Sequence, residues 1–305
     1  MPPSADRSIP ADRGLTMAML WTMALLGLLY LIAIAIAAAA VAYWLSGSHG
    51  WLWPAIIVVC LVVHLGHVAR MGRRTAPGGE VPASQEPELH AVVERLCARI
   101  DVPKPRIHVV PTDAPNALAI GLPGRTVLSV TRGLLRRLEP AELEAAVAHE
   151  LSHVAHRDAA VMTVACSVGV MGEALAAAGK KEIRKEGKAS DRATSSVLLA
   201  LPIGFGAGLY ALSVLLTRRL SRYRELAADR AAAYWTGNPS ALASALMKCS
   251  DDAARIPMTD LRAPRTVNAL CLMPTPLADF RTHPSHPPLN ERLDRLAAIT
   301  RELGA

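Results

Sequence analysis

The stretch Ala141–Asp158, AELEAAVAHELSHVAHRD, decides how the rest of the chain is read. Ala, Glu and Leu dominate it, and Pro140 stands where a first helical residue needs no N–H, so one long helix is predicted over 141–158. On a helix, residues at i and i+4 lie one above the other. His149 and His153 therefore turn two imidazoles toward one ion. Glu150 projects from nearly the same face and reaches a water on that ion without being a ligand. Zinc favours imidazole and carboxylate ligands, and its catalytic sites keep three protein ligands and an open position.

A third ligand must come from elsewhere. His149 and His156 are separated by about 10 Å of helix rise, too far for three ligands from one straight helix. The H-E-x-x-H-x-x-G-x-x-H arrangement is also absent, because Gly does not stand three residues past His153. His156 reads as a helix-end or surface histidine. In Ser221–Asp229, SRYRELAAD, Glu225 and Asp229 again stand at i and i+4. Glu225 supplies a carboxylate ligand, and Asp229 one turn on accepts a hydrogen bond from a ligand imidazole and fixes its tautomer. Alone, E-x-x-x-D is common on solvated helix faces; beside H-E-x-x-H it is specific.

The composition says where such a site would sit. Of 305 residues, 51% are hydrophobic and 19% charged, with a net charge of +7, which excludes a disordered chain. The apolar residues are unevenly placed, which excludes a simple soluble enzyme. Residues 15–45 and 51–69 carry no Lys, Arg, Asp or Glu, and each is long enough to cross a bilayer. The first run is too long for a cleaved signal peptide. Arg7 and Arg13 precede the pair, Arg70, Arg73 and Arg74 follow it, and the loop 46–50 has neither Lys nor Arg. The excess of positive charge puts both ends of this transmembrane hairpin in the cytoplasm, with residues 1–14 as a cytoplasmic tail. His64 and His67 on the second run read as interface or headgroup residues.

Residues 70–87 form a linker rich in Pro and Gly. A helix is predicted from Glu88 to Ile100 with Leu89, Val92, Val93, Leu96 and Ile100 on one face. The runs at Arg106–Val110, Ala117–Leu122 and Thr126–Val130 read as strands of a small sheet. Two more apolar segments, 159–179 and 196–217, flank a loop over 180–192 with six basic and three acidic residues. If both segments span, that loop lies outside and breaks the charge preference; if they form a shallow hairpin, no exception is needed. The cysteines Cys60, Cys97, Cys166, Cys249 and Cys271 contain no C-x-x-C, so neither a cysteine zinc site nor a redox dithiol is expected. The basic residues gather at membrane ends rather than on an aromatic-rich surface, which argues against nucleic acid.

His149 to His153, the RYRELAAD segment, Pro115-Asn116-Ala117 and SHPPLNERLDRL from Ser285 together resemble the HtpX-type membrane zinc metalloproteases, with CAAX prenyl endopeptidases as more distant relatives. The resemblance covers nearly the whole chain. It departs from the family at Leu118 and Ile120 and in the basic hairpin. It implies a mainly α membrane protein with a small mixed β-sheet. A zincin-like domain would be formed by 88–158 and 218–305, with two N-terminal transmembrane helices and an inserted apolar hairpin, 159–217. It further implies one Zn(2+) held by His149, His153 and Glu225, with Asp229 and Arg222 behind these ligands. Glu150 is implied as the base, and Asn116 and Ala117 as a peptide-pairing edge. His286 is implied beside the developing oxyanion, with His283 near enough to be confused with it. The activity implied is endopeptidase action on damaged membrane proteins, multi-pass in the bacterial cytoplasmic membrane and facing the cytoplasm. A CAAX-type prenyl protease, or a silent membrane adaptor with a structural metal, are the competing readings.

Overall fold

The computed structural model describes residues 12–45, 78–120, 126–158, 161–162, 192–253 and 286–304. The second apolar run (51–69) with its histidines, residues 70–77, most of 159–179, the basic loop 180–191 and His283 lie outside the described residues. The chain divides into two units. One is Met1–Ala18, Gly72–Val161 and Ser221–Ala305, the other Met19–Met71 and Met162–Leu220.

Helix α1 (Arg13–Leu45) carries no charge after its first residue, and Asp12 caps it by accepting the Leu15 N–H on Oδ1 at 3.0 Å. Its Arg13–Ile32 stretch is, among the described residues, the one long and apolar enough to cross a membrane. Trp21 is 65% exposed, and Leu20, Leu28 and Leu31 are exposed with it. A continuous apolar surface of this kind is stable against lipid rather than water.

The first unit is built on a four-stranded mixed sheet of order β1-β2-β4-β3, where β1 is Gly79–Glu80, β2 Arg106–Val110, β3 Ala117–Ile120 and β4 Val127–Thr131. β2 and β4 run parallel with Arg106 opposite Val127, while β1 and β3 are antiparallel to their neighbours. β3 is therefore an edge strand among the described residues. Period-two alternation turns Ile107, Val109, Ala117, Ala119, Leu128 and Val130 to one face. Against that face pack α2 (Pro87–Ile100) and α4 (Pro140–Ala155). α2 buries Leu89, Val92, Val93 and Leu96, as its periodicity predicts, with Ile100 partly buried on the same core.

α4 opens with a capping box between Glu139 and Glu142 and with Pro140 in its first turn. Ala145, Ala146 and Ala148 are fully buried, small enough to let neighbouring backbones come close. Glu142 accepts hydrogen bonds from Ser244 at 2.6 Å and Lys248 at 2.7 Å on α6 (Pro239–Ala253), tying the two helices. Burial pushes the Glu142 carboxyl up, and these two partners more than reverse it, holding it below the usual carboxylate range. α5 (Arg192–Thr236) carries the apolar segment 196–217 as helix and ends at Gly237, whose φ of 68° lets its N–H reach the Ala233 carbonyl. α7 (Leu289–Gly304) packs on α6.

α4 stops at Ala155, three residues short of the predicted end. His156 is its cap, and Arg157 turns left-handed at φ 54°. Non-glycine residues enter that region at a cost of about 1–2 kcal/mol, and here the turn brings Asp158 back toward His153.

Thr131 links the edge strand to the body. Its Oγ1 accepts the Leu134 N–H at 3.2 Å, capping the short α3 (Arg132–Arg137), and the Asn116 N–H at 2.9 Å. Gly133 donates its N–H to the Thr112 carbonyl, and a Cβ there would stand 2.0 Å from the Asp113 carbonyl oxygen. Only glycine lets loop 112–116 lie against α3. Gly133→Ala is expected to lower stability by about 1–3 kcal/mol, read as a drop of several degrees in the thermal midpoint of the detergent-solubilised protein. An unchanged midpoint would show that this contact does not hold the loop.

Candidate metal centre

His149 and His153 lie one turn apart on α4, both buried, with their rings edge to face. Their Nε2 atoms are 3.3 Å apart. Glu225 on α5 completes the group, Oε2 lying 3.5 Å from His149 Nε2 and Oε1 3.6 Å from His153 Nε2. One ligand atom from each of the three falls within 4.8 Å of the others. Two nitrogens about 2.0–2.1 Å from one tetrahedral ion stand about 3.3–3.4 Å apart, so the spacing and the donor chemistry both fit a zinc-sized cation.

Each imidazole is held from behind by a carboxylate, and each carboxylate by an arginine. His149 Nδ1 lies 3.0 Å from Asp229 Oδ1. Arg292 of α7 grips Asp229 with two hydrogen bonds, Nε to Oδ2 at 2.7 Å and Nη2 to Oδ1 at 2.6 Å. His153 Nδ1 donates to Asp158 Oδ2 at 2.7 Å, and Arg224 Nη2 reaches the same oxygen at 2.9 Å. A carboxylate can only accept, so a proton shared between His153 and Asp158 sits on Nδ1, and the His153 Nε2 faces the site.

The electrostatics agree. Burial pulls the His149 imidazole down, but Asp229 and Glu225 override it and push it up to about 9. Burial likewise opposes ionisation of Glu225, yet the imidazoles of His286, His149 and His153 beside it hold it well below the carboxylate range. Asp158 is brought down to about 2: burial works against this, and His153 and Arg224 outweigh it. Asp229 is lowered by Arg292 against the same burial. A buried site that holds its carboxylates ionised and favours positive charge on an imidazole is a site for a cation.

Glu150 behaves differently. It is fully buried and neither carboxyl oxygen has a hydrogen-bond partner among the described residues. Burial pushes its carboxyl up, the two histidines oppose this, and Glu225 adds to it. A carboxyl raised toward neutrality beside three side chains able to hold a metal has the properties a general base needs.

The remaining expected residues are placed unevenly. His286 is buried with Nδ1 3.1 Å from Glu225 Oε2. Ala117 is buried and pairs with Val130, while the Asn116 carboxamide oxygen accepts the Ala117 N–H at 2.9 Å, locking the start of β3. Arg222 is half-buried and makes no ion pair with Glu225 or Asp229 among the described residues. The arginine of that segment which reaches the cluster is Arg224. His156 turns away, its ring on the Ser152 carbonyl. Arg224, Asp158 and Arg292 are absent from the sequence reading. Asp158 closes the quoted stretch and Arg224 precedes the proposed ligand, but only the left-handed turn at Arg157 and the meeting of helices bring them together.

Residues 83–300 match the profile of peptidase family M48. The chain is 46% identical over 304 residues to "Protease HtpX homolog 1" of Streptomyces coelicolor, spanning 96% of this chain and 95% of that one. It is 38% identical over 303 residues to "Protease HtpX homolog" of Moorella thermoacetica, spanning 97% and 98%. It is 37% identical over 298 residues to "Protease HtpX homolog 2" of Methanosarcina acetivorans, spanning 96% and 97%. Against the solved structure of S. mikatae Ste24p it is 17% identical with a TM-score of 0.43, covering 93% of this chain and 66% of that one. With the family profile covering most of the chain and relatives matched nearly end to end, this chain belongs to peptidase family M48 and is a metalloprotease.

Proposed function

We propose that the protein is a zinc endopeptidase anchored in the bacterial cytoplasmic membrane, its catalytic body facing the cytoplasm, and that it cleaves damaged or misfolded membrane proteins. The observation that carries the chemistry is the convergence of His149, His153 and Glu225 beside a buried Glu150 that no cationic side chain pairs with among the described residues. Support for the biology comes from the apolar helix α1, the arginines flanking the N-terminal apolar runs, and relatives named as proteases.

Zinc supplies Lewis acidity, acidifying water and polarising a carbonyl. The chain's own residues do the rest. The outer edge of β3, an edge strand among the described residues, pairs with an extended substrate backbone by strand addition at Asn116 and Ala117. The Ala119 N–H lies near Glu150, so the strand that receives the peptide runs beside the base. Glu150 takes a proton from the attacking water and passes it to the leaving amine. His286, buried beside Glu225, donates to the oxyanion that develops on the scissile carbonyl. Asp229 and Asp158 keep the two ligand imidazoles in one tautomer throughout.

Glu150→Gln is expected to lower peptide hydrolysis by about 100- to 10,000-fold while the metal content of the purified protein stays at the parent level. Hydrolysis at the parent rate would remove Glu150 from the mechanism. Glu225→Ala should behave oppositely at the metal, losing zinc on dialysis as read by elemental analysis; full retention would mean that another group closes the site. For orientation, a single cysteine at Arg95, whose side chain is 57% exposed, is placed in a cysteine-free background. It should resist a membrane-impermeant maleimide in intact cells and react after permeabilisation. Labelling of intact cells would put the catalytic body outside.

A further inference from the structure

We infer that Arg224 is a positioning residue for the metal centre, acting through Asp158 to fix the tautomer and ring orientation of His153. The inference rests on the metal reading above. Arg224 is 2% exposed, on the same turn of α5 as Glu225. Its Nη2 lies 2.9 Å from Asp158 Oδ2, the oxygen that also accepts from His153 Nδ1 at 2.7 Å.

The logic of donors makes this arrangement directional. A guanidinium has only donors and does not lose its charge in a protein. With Arg224 donating to Oδ2, that oxygen is held as an acceptor, and the proton between it and the imidazole belongs to Nδ1. The direct approach of Arg224 Nη2 to His153 Nδ1 is longer, 3.5 Å, and does not compete. The Nε2 lone pair of His153 is thereby committed to the side where His149 and Glu225 lie.

A purely stabilising role accounts poorly for the rest of this side chain. Its Nε and Nη1 are buried and have no hydrogen-bond partner among the described residues. Each buried donor left unmade costs about 1–3 kcal/mol. The guanidinium nonetheless keeps its one short contact toward the cluster. The same chemistry recurs on the other ligand, where Arg292 holds Asp229 behind His149. There the grip is bidentate; at Arg224 it is a single contact, which a lysine ammonium can reproduce.

The test uses the full-length protein in detergent micelles, stripped of metal and titrated with zinc against a chelator. The visible spectrum of the cobalt(II) form is recorded alongside. Arg224→Met is expected to weaken zinc binding by about 10- to 100-fold and to shift the cobalt bands, because ligand-orienting partners carry effects of that size. Arg224→Lys should return zinc binding to within a few-fold of the parent. Asp158→Asn should resemble Arg224→Met, and the double variant should bind no worse than the weaker single one, as expected of residues acting in series. Zinc affinity and cobalt spectrum unchanged in Arg224→Met, with only a lower thermal midpoint of the metal-free protein, would reduce Arg224 to a structural residue and overturn the inference. Additive losses in the double variant would overturn it too. If Arg224→Met does not fold, the decision passes to the contrast between the lysine and asparagine variants: equal zinc affinities there refute the inference. A parent protein that takes up no zinc is a different failure, because it removes the metal reading itself.

Discussion

Taking a carboxylate or a guanidinium out of water costs several kcal/mol even after relaxation, and the interior tolerates it only where opposite charges and hydrogen bonds meet it on all sides. This protein buries Glu225, Asp229, Asp158, Arg224 and Arg292 around two imidazoles, every one of them nearly inaccessible. None of these side chains is sustainable alone. Arg292 is held by Asp229, Arg224 by Asp158, and Glu225 faces both ligand histidines and His286. The architecture follows from this mutual requirement. α4 supplies the imidazoles and, past its end, one carboxylate; α5 supplies two carboxylates and an arginine; α7 supplies the second arginine. Removing one member leaves another charge buried without its partner.

The two aspartates are each matched by an arginine at 2.6–2.9 Å, whereas Glu225 faces three imidazoles and stands farther from a guanidinium, 3.9 Å from Arg292 Nη2. Glu150 stands apart from that pairing. Among the described residues no cationic side chain pairs with it, and burial, with Glu225 adding to it, keeps its carboxyl high. The same interior thus holds two carboxyl groups in opposite states, Glu225 held ionised and Glu150 raised toward neutrality. Paired and unpaired surroundings separate their roles.

The sheet contributes position rather than chemistry. β3 leaves β2 and returns on the far side of β4, which puts it at the edge of the described sheet and next to α4. Its start is fixed by Thr131 and by the close approach of Gly133 to loop 112–116. An edge strand slipped by one residue would turn the opposite set of side chains toward Glu150, since alternate residues face opposite ways.

Periodicity and residue chemistry alone determined that one helix carries His149, Glu150 and His153 on one face, that Glu225 and Asp229 share another, and that long uncharged runs need a lipid environment. These are local properties: they follow from 3.6 residues per turn, from which side chains bind metals, and from the length of an apolar run. The family resemblance supported Glu225 as the expected third ligand and added His286 to the same site. What only the tertiary structure decided is how the buried charges are matched. By helical spacing Arg222 lies on the face of Glu225 and Asp229, yet Arg224 is the arginine that enters the cluster, because its partner Asp158 comes from the end of a different helix. That helix ends three residues early through a left-handed arginine, which nothing in its composition announces. Arg292 meets Asp229 across 63 positions of sequence. A pattern along the chain records which face a residue occupies; which charge stands opposite it is set by the packing of separate helices, and that decides whether a buried ion pair is complete.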